Sequence, residues 1–131
     1  VSLFDPNPKY KKPARKTSKQ TPESKVTKAA IAYLEGLGAV VVRTNVGVFR
    51  NYYGEGIIHG APKGTSDWQV CLPTGRFLAL EIKAPGGRAS TDQLAYGARV
   101  QAAGGLFVVC GDVQRDLVPV VEAELRRGGL L

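Results

Sequence analysis

Apolar positions recur along this chain in two rhythms, and the rhythms divide it into elements. Val26, Ala30, Tyr33, Leu34 and Leu37 fall on one stripe at helical spacing. Thr21-Pro22 in front of them reads as an N-cap followed by proline at the first helical position, with Gly36 and Gly38 as the stop. The β-branched run from Ala39 to Thr44 predicts a first strand. Residues 45–65, glycine-rich with Phe49, Arg50, Tyr52, Tyr53, His59 and Lys63 interleaved, predict a loop or an extended hairpin. Two strands follow, Asp67–Leu72 and Arg76–Lys83, then a helix from Ser90 to about Ala103. Leu106–Cys110 predicts a fourth strand, and a last helix runs roughly from Leu117 to Arg127. The order helix, three strands, helix, strand, helix implies an α/β fold in which a mixed sheet is covered by helices on both faces.

The hairpin at residues 67–83 carries polar residues where its apolar pattern ends. In the connecting "LPTG", Pro73 suits the first central position of a type I turn and Gly75 the left-handed residue closing a three-residue loop. Leu72 then faces Arg76, paired residue numbers add to 148, and Asp67 lies opposite Glu81. Directly paired residues share a face, and Lys83 shares that of Glu81 by the period of two. A two-residue turn would slip the register by one and scatter the three charges.

Buried carboxylates and ammonium groups are costly unless paired or bound to a metal. Asp67 and Glu81 would offer hard oxygen ligands to Mg²⁺ or Mn²⁺, and Lys83 could orient a water or stabilise charge developing on a phosphoryl group. The competing reading is an exposed Glu–Lys ion pair at a strand end. Nucleophilic triads find little support, since His59 is the single histidine and no Ser or Cys stands in a triad context.

Charge sharpens the picture. The 131 residues, one domain's worth, carry a net charge of +7. Lys9, Lys11, Lys12, Arg15, Lys16 and Lys19 against Asp5 put +5 of it into residues 1–20, a stretch with prolines at 6, 8 and 13. That segment reads as a basic, flexible arm preceding a domain at 21–131, and either solubilises the chain or seeks phosphates. No apolar run has the length of a membrane span and no signal-peptide core is present. Cys71 and Cys110 stand in apolar strand-like runs without metal-ligand spacing, and are expected to be buried free thiols in the cytoplasm or another reducing intracellular compartment (nucleoid or host cytoplasm, were the chain phage-encoded).

Several stretches together carry a resemblance: Glu23 in the first helix, Val41–Gly47 (VVRTNVG), Gly64–Asp67 (GTSD), Glu81–Ser90 (EIKAPGGRAS) and Gln93. From about Glu23 to Gly111 the chain resembles the virus-type replication-repair nucleases (VRR-NUC), a branch of the PD-(D/E)XK superfamily with a restriction-endonuclease-like core. Ser66 departs from the pattern, which often has proline before the metal-binding Asp. The resemblance implies that Asp67, Glu81 and the backbone carbonyl of Ile82 hold Mg²⁺ or Mn²⁺, with no organic cofactor. It further implies that Lys83 assists the attacking water, Glu23 reaches the metal site through water, and Gln93 positions Lys83 or the phosphate. The activity implied is DNA endonuclease cleavage, on branched DNA such as Holliday junctions, by a homodimer supplying two symmetric sites.

Other readings stand beside these roles. Glu23 lies in a helix's first turn, where the dipole stabilises any carboxylate, although it also falls three residues before Val26 on the core-facing stripe. Ser90-Thr91-Asp92-Gln93 matches a capping box, which would employ Gln93 without any catalytic part. Arg88 at a helix start could meet a phosphate or simply sit in a flexible connection. Arg43, Asn45, Arg50 and Lys63, with Tyr52 and Tyr53, read as a DNA-facing surface or as packing and dimer contacts. The rival functions are a DNA-binding module without turnover and a sequence-specific restriction-type nuclease.

Overall fold

A computed structural model describes residues 19–46, 48–50 and 57–131, the segments 48–50 and 57–59 by their backbone alone. Helix α1 spans Pro22–Gly36, with the Thr21 hydroxyl accepting from the Ser24 amide at 3.1 Å as its N-cap. Val26, Ala30 and Leu34 are buried as the stripe requires. Leu37 is not: it is the C-cap residue and is 36% exposed, because the helix ends before the stripe does. Strand β1 (Val40–Arg43) follows, and within residues 45–65 lie β2 (Val48–Arg50) and β3 (Ile57–His59), an antiparallel pair. Of the two alternatives for that region, the extended hairpin is the one formed.

Strands β4 (Trp68–Cys71) and β5 (Phe77–Ile82), helix α2 (Thr91–Ala102) and strand β6 (Leu106–Cys110) complete the sheet. A single π turn (Val113–Leu117) leads into α3 (Val118–Arg127). The sheet order is β1-β4-β5-β6, with β4 antiparallel to β1 and β5, and β6 parallel to β5. This is the mixed α/β sheet expected.

The hairpin register is the one argued from the turn. Trp68 pairs with Leu80 and Cys71 with Phe77, so paired numbers add to 148 throughout. Gly75 has φ +83, its amide donates to Leu72 O at 2.7 Å, and the Leu72 amide donates to Arg76 O at 3.0 Å. A side chain at that φ would be strained, so glycine there protects the register.

The two faces of the sheet are covered by different helices. Leu78, Leu80 and Ile82 of β5 join Val26, Ala30 and Leu34 of α1 and Val121 and Leu125 of α3 in one core. Ala79 and Glu81 point the other way, toward α2. A Cβ at Gly97 would lie 2.2 Å from the Phe107 ring, so α2 rests directly on β6 at that point. Glycine inside a helix costs roughly 1 kcal/mol of propensity. The cost is met here by letting α2 approach closely enough to place polar side chains on the sheet end. Beyond its reach, among the described residues, the same face is open: Val40 and Val42 are 63% and 57% exposed. Cys71 lies on that uncovered stretch and is exposed, against the expectation of burial, whereas Cys110 is buried; both are free thiols.

At the opposite end, α3 is tied to the hairpin turn through Glu124, whose side chain is almost wholly enclosed. It accepts from Thr74 Oγ1 at 2.9 Å, Arg76 Nη1 at 2.7 Å and Arg127 Nε at 2.7 Å. These donors, Arg127 first, pull its pKa down to about 2 despite burial. Among the described residues no helix is long and apolar enough to cross a membrane.

Candidate active site

The carboxylates converge because of the register. Asp67 stands one residue before β4, outside the regular ladder, and its N–H donates to Glu81 Oε2 at 3.2 Å. Thr44 N–H in turn donates to the Asp67 carbonyl at 2.7 Å. Lys83, one residue past β5, places Nζ 3.3 Å from Glu81 Oε1. The same oxygen accepts from Gln93 Nε2 at 2.8 Å. The structure thus brings Asp67, Glu81, Lys83 and Gln93 together at one end of the sheet.

Glu81 is 1% exposed, and burial raises its pKa to about 7, with repulsion from Asp67 and a hydrogen bond shared with that side chain adding to the effect. Lys83 opposes the rise without cancelling it. The exposed ion pair considered from sequence is therefore not what forms: the glutamate is enclosed and its lysine is largely so, at 23% side-chain exposure.

Gln93 occupies both positions that the sequence left open. Its Oε1 accepts from Ser90 N–H at 2.8 Å while Ser90 Oγ accepts from Gln93 N–H at 3.2 Å, a complete capping box. Its NH₂ group is left to reach Glu81. One amide serves the helix with its oxygen and the carboxylate with its nitrogen.

A cleft of about 360 Å³ opens beside Asp67, lined also by Glu23, Lys28, Arg43, Trp68 and Ile82. Glu23 is exposed in this cleft and does not point into the core as its place in the stripe suggested, because the first turn of α1 overhangs the sheet end. Arg43 lies across from Trp68 in the β1–β4 ladder, its guanidinium carbon 5.9 Å from the centre of the indole ring. Lys28 and Trp68 are cleft residues that sequence reasoning missed. The signals were there: Lys28 follows Thr21 by two helical turns, and Trp68 adjoins Asp67.

The remaining candidates for DNA contact are dispersed. Asn45 is exposed and its carbonyl accepts from Ala61 N–H at 2.7 Å. Lys63 is 89% exposed in its side chain, 3.4 Å from Asp92. Arg88 is exposed in the β5–α2 connection, but Asp92 in the first turn of α2 and the capping box compete with any phosphate there. Arg50 is described by its backbone in β2. Lys19 is exposed ahead of α1, whereas Lys9, Lys11, Lys12, Arg15 and Lys16, and likewise Tyr52 and Tyr53, lie outside the described residues.

The donor set suits a hard divalent cation. Two carboxylates are held close enough to repel one another, which is the repulsion such an ion relieves, and Ile82 borders the adjoining cleft. Among the described residues no group of three or more His, Cys, Asp or Glu side chains gathers at one point, so water and substrate oxygens would have to complete a coordination sphere.

No protein-family model and no curated protein matches the sequence. Among solved structures, the fold is similar to one described as a "VRR_NUC domain", with 25% sequence identity and a TM-score of 0.53. The likeness covers 82% of this chain and 96% of that one.

Proposed function

We propose that this chain, whose fold is similar to a solved VRR_NUC domain, is a nuclease of that type with a restriction-endonuclease-like core, a Mg²⁺- or Mn²⁺-dependent DNA endonuclease selective for branched DNA such as four-way junctions. The observation that carries the reading is the buried Glu81, raised to a pKa of about 7 beside Asp67 and touched by Lys83 and Gln93. A plain structural glutamate would not be set against a second carboxylate.

Asp67, Glu81 and the Ile82 carbonyl would hold the ion, whose chemistry is to polarise a phosphoryl oxygen and acidify a bound water. The chain's own residues do the rest. Gln93 and Lys83 fix the Glu81 carboxylate in one orientation. Lys83, at the partly open rim, orients the attacking water and stabilises charge on the phosphoryl group. Glu23 meets the site across the cleft through water. Arg43 in the cleft, with Asn45, Arg50, Lys63, Arg88 and the basic segment 1–20, holds the DNA backbone. Two symmetric cuts in a junction call for two sites, hence a homodimer.

One observation favours a second reading, a DNA-binding module without turnover: Glu81 already has partners on both oxygens, and no third acidic or histidine ligand stands by among the described residues. Cleavage of junction, flap, single-stranded and linear duplex substrates, with and without Mg²⁺, separates the two. Metal-dependent cleavage of the junction ahead of the duplex supports the proposal. Binding without cleavage in either metal would leave the module.

A further inference from the structure

We infer that Ser66, Gln69 and Tyr96 form a hydrogen-bonded strut that sets the position of Asp67, making them positioning residues for the metal site; this rests on the nuclease reading above. Gln69 Nε2 donates to Ser66 Oγ at 3.0 Å and to the Ser66 carbonyl at 3.3 Å. Gln69 Oε1 accepts from the Tyr96 hydroxyl at 3.2 Å, and the Ser66 hydroxyl donates to the Trp68 carbonyl at 3.2 Å. Every donor in this chain has an acceptor, and the Gln69 amide nitrogen makes both of its contacts to Ser66. The network therefore has one consistent direction, from α2 through β4 to the residue before Asp67.

Its placement argues for more than filling space. Ser66 is fully buried, yet it stands before the first residue of β4, where no ladder holds the backbone. Around it the chain is gripped by single contacts: Gln69 on the Ser66 carbonyl, Glu81 on the Asp67 amide, and Thr44 on the Asp67 carbonyl. Gln69 connects this grip to α2 through Tyr96, and Glu81 connects it through Gln93. Tyr96 lies one helical turn after Gln93, so α2 reaches Glu81 with one side chain and the Asp67 segment with another. A single rigid element thereby sets the spacing between the two carboxylates, and Gly97 lets that element sit close enough to do so. Groups behind metal ligands act in this way, and losing them weakens binding of the ion without removing a ligand.

The test is calorimetric titration with Mn²⁺ of the wild-type chain and of Gln69→Leu, Tyr96→Phe, the double variant and Asp67→Asn, each beside a metal-free thermal melt. Gln69→Leu should lose about tenfold in Mn²⁺ affinity. Tyr96→Phe, which removes one oxygen, should lose less. The double variant should bind no more weakly than Gln69→Leu, because the two act in series. Unchanged Mn²⁺ affinity in Gln69→Leu, with Asp67→Asn impaired, overturns the strut and leaves the nuclease reading standing. Wild type and Asp67→Asn binding Mn²⁺ alike, or not at all, overturns both. Should Gln69→Leu not fold, Tyr96→Phe decides by the same comparison, and wild-type affinity in it counts against the strut.

Discussion

Gln93 donates to Glu81 Oε1 across 2.8 Å with the nitrogen of the same amide whose oxygen caps its own helix at Ser90. The helix cap and the carboxylate contact are therefore one side chain, and different substitutions divide them. Gln93→Glu keeps an acceptor for the Ser90 amide but removes the donor and adds a negative charge beside Glu81. Its melting temperature should stay near wild type while single-turnover cleavage falls at least about tenfold, the loss typical of a group behind a metal ligand. Gln93→Ala loses both contacts, and should lose about 1 kcal/mol of stability as cap deletions do, together with activity. Full cleavage by Gln93→Glu would return the residue to capping alone.

The three charged residues at the sheet end should respond differently to substitution. Asp67→Asn and Glu81→Gln are expected to weaken Mn²⁺ binding, whereas Lys83→Ala should keep the metal and lose turnover. Titration calorimetry paired with junction cleavage tells the outcomes apart. Wild-type activity in all three variants would remove the basis of the proposed function.

The Glu81 pKa sets a sign for the pH dependence. In the metal-free protein its folded value, about 7, lies above the ordinary carboxylate value of 4.5, so between those limits the folded chain holds more protons than the unfolded one. By linkage this group's contribution makes stability fall as pH rises from 4.5 through 7, and then level off. Glu81→Gln should abolish that decline in chemical denaturation followed against pH. Mn²⁺ binding should release protons below pH 7 and cease to do so well above it, which titrations in buffers of different ionisation enthalpy would record.

Gly97→Ala opposes helix propensity to packing. Propensity alone would stabilise α2 by roughly 1 kcal/mol. The added methyl, however, would meet the Phe107 ring, and relieving it must displace that ring or lift α2 from the sheet. We expect destabilisation of about 1–3 kcal/mol, as for overpacked cores. Cleavage should drop as well, since Gln93 and Tyr96 move with the helix. Restoration of both properties by Phe107→Leu would confirm the cause, and a more stable Gly97→Ala protein would refute it.

Glu124 provides a contrast remote from the proposed chemistry. Glu124→Ala should cost about 2 kcal/mol, the scale of hydrogen bonds to charged groups reduced for the partly exposed arginines. Its folded pKa of about 2 lies below the ordinary 4.5, so its contribution is present above 4.5 and lost as pH falls toward 2. Metal affinity should be unaffected. A variant that folds normally but fails to bind Mn²⁺ would tie this clamp to the site.

What the sequence determined by itself was whatever depends on local spacing. The Thr21 cap, the limits of α2 and the turn closed by Gly75 rest on neighbouring residues, and the hairpin register followed from that turn because strand pairing propagates a single local choice. From the register came the meeting of Asp67, Glu81 and Lys83. Which groups would be buried was decided only by the tertiary structure. Cys71 and Cys110 look alike as sequence, yet Cys110 pairs with Ile82 on the face packed by α1 and α3, whereas Cys71 lies on the other face, beyond the reach of α2. Glu23 fits an apolar stripe but overhangs the edge of the sheet. Gln93 could be read as a cap or as an active-site group; it completes the cap and, from a helix that Gly97 lets sit close to the sheet, also touches Glu81. The enclosure that raises the Glu81 pKa, and the reach of Tyr96 to Gln69, arise where separate segments meet. Burial and hydrogen-bond partnership depend on all the segments packed around a group, whereas spacing along the chain describes one segment at a time.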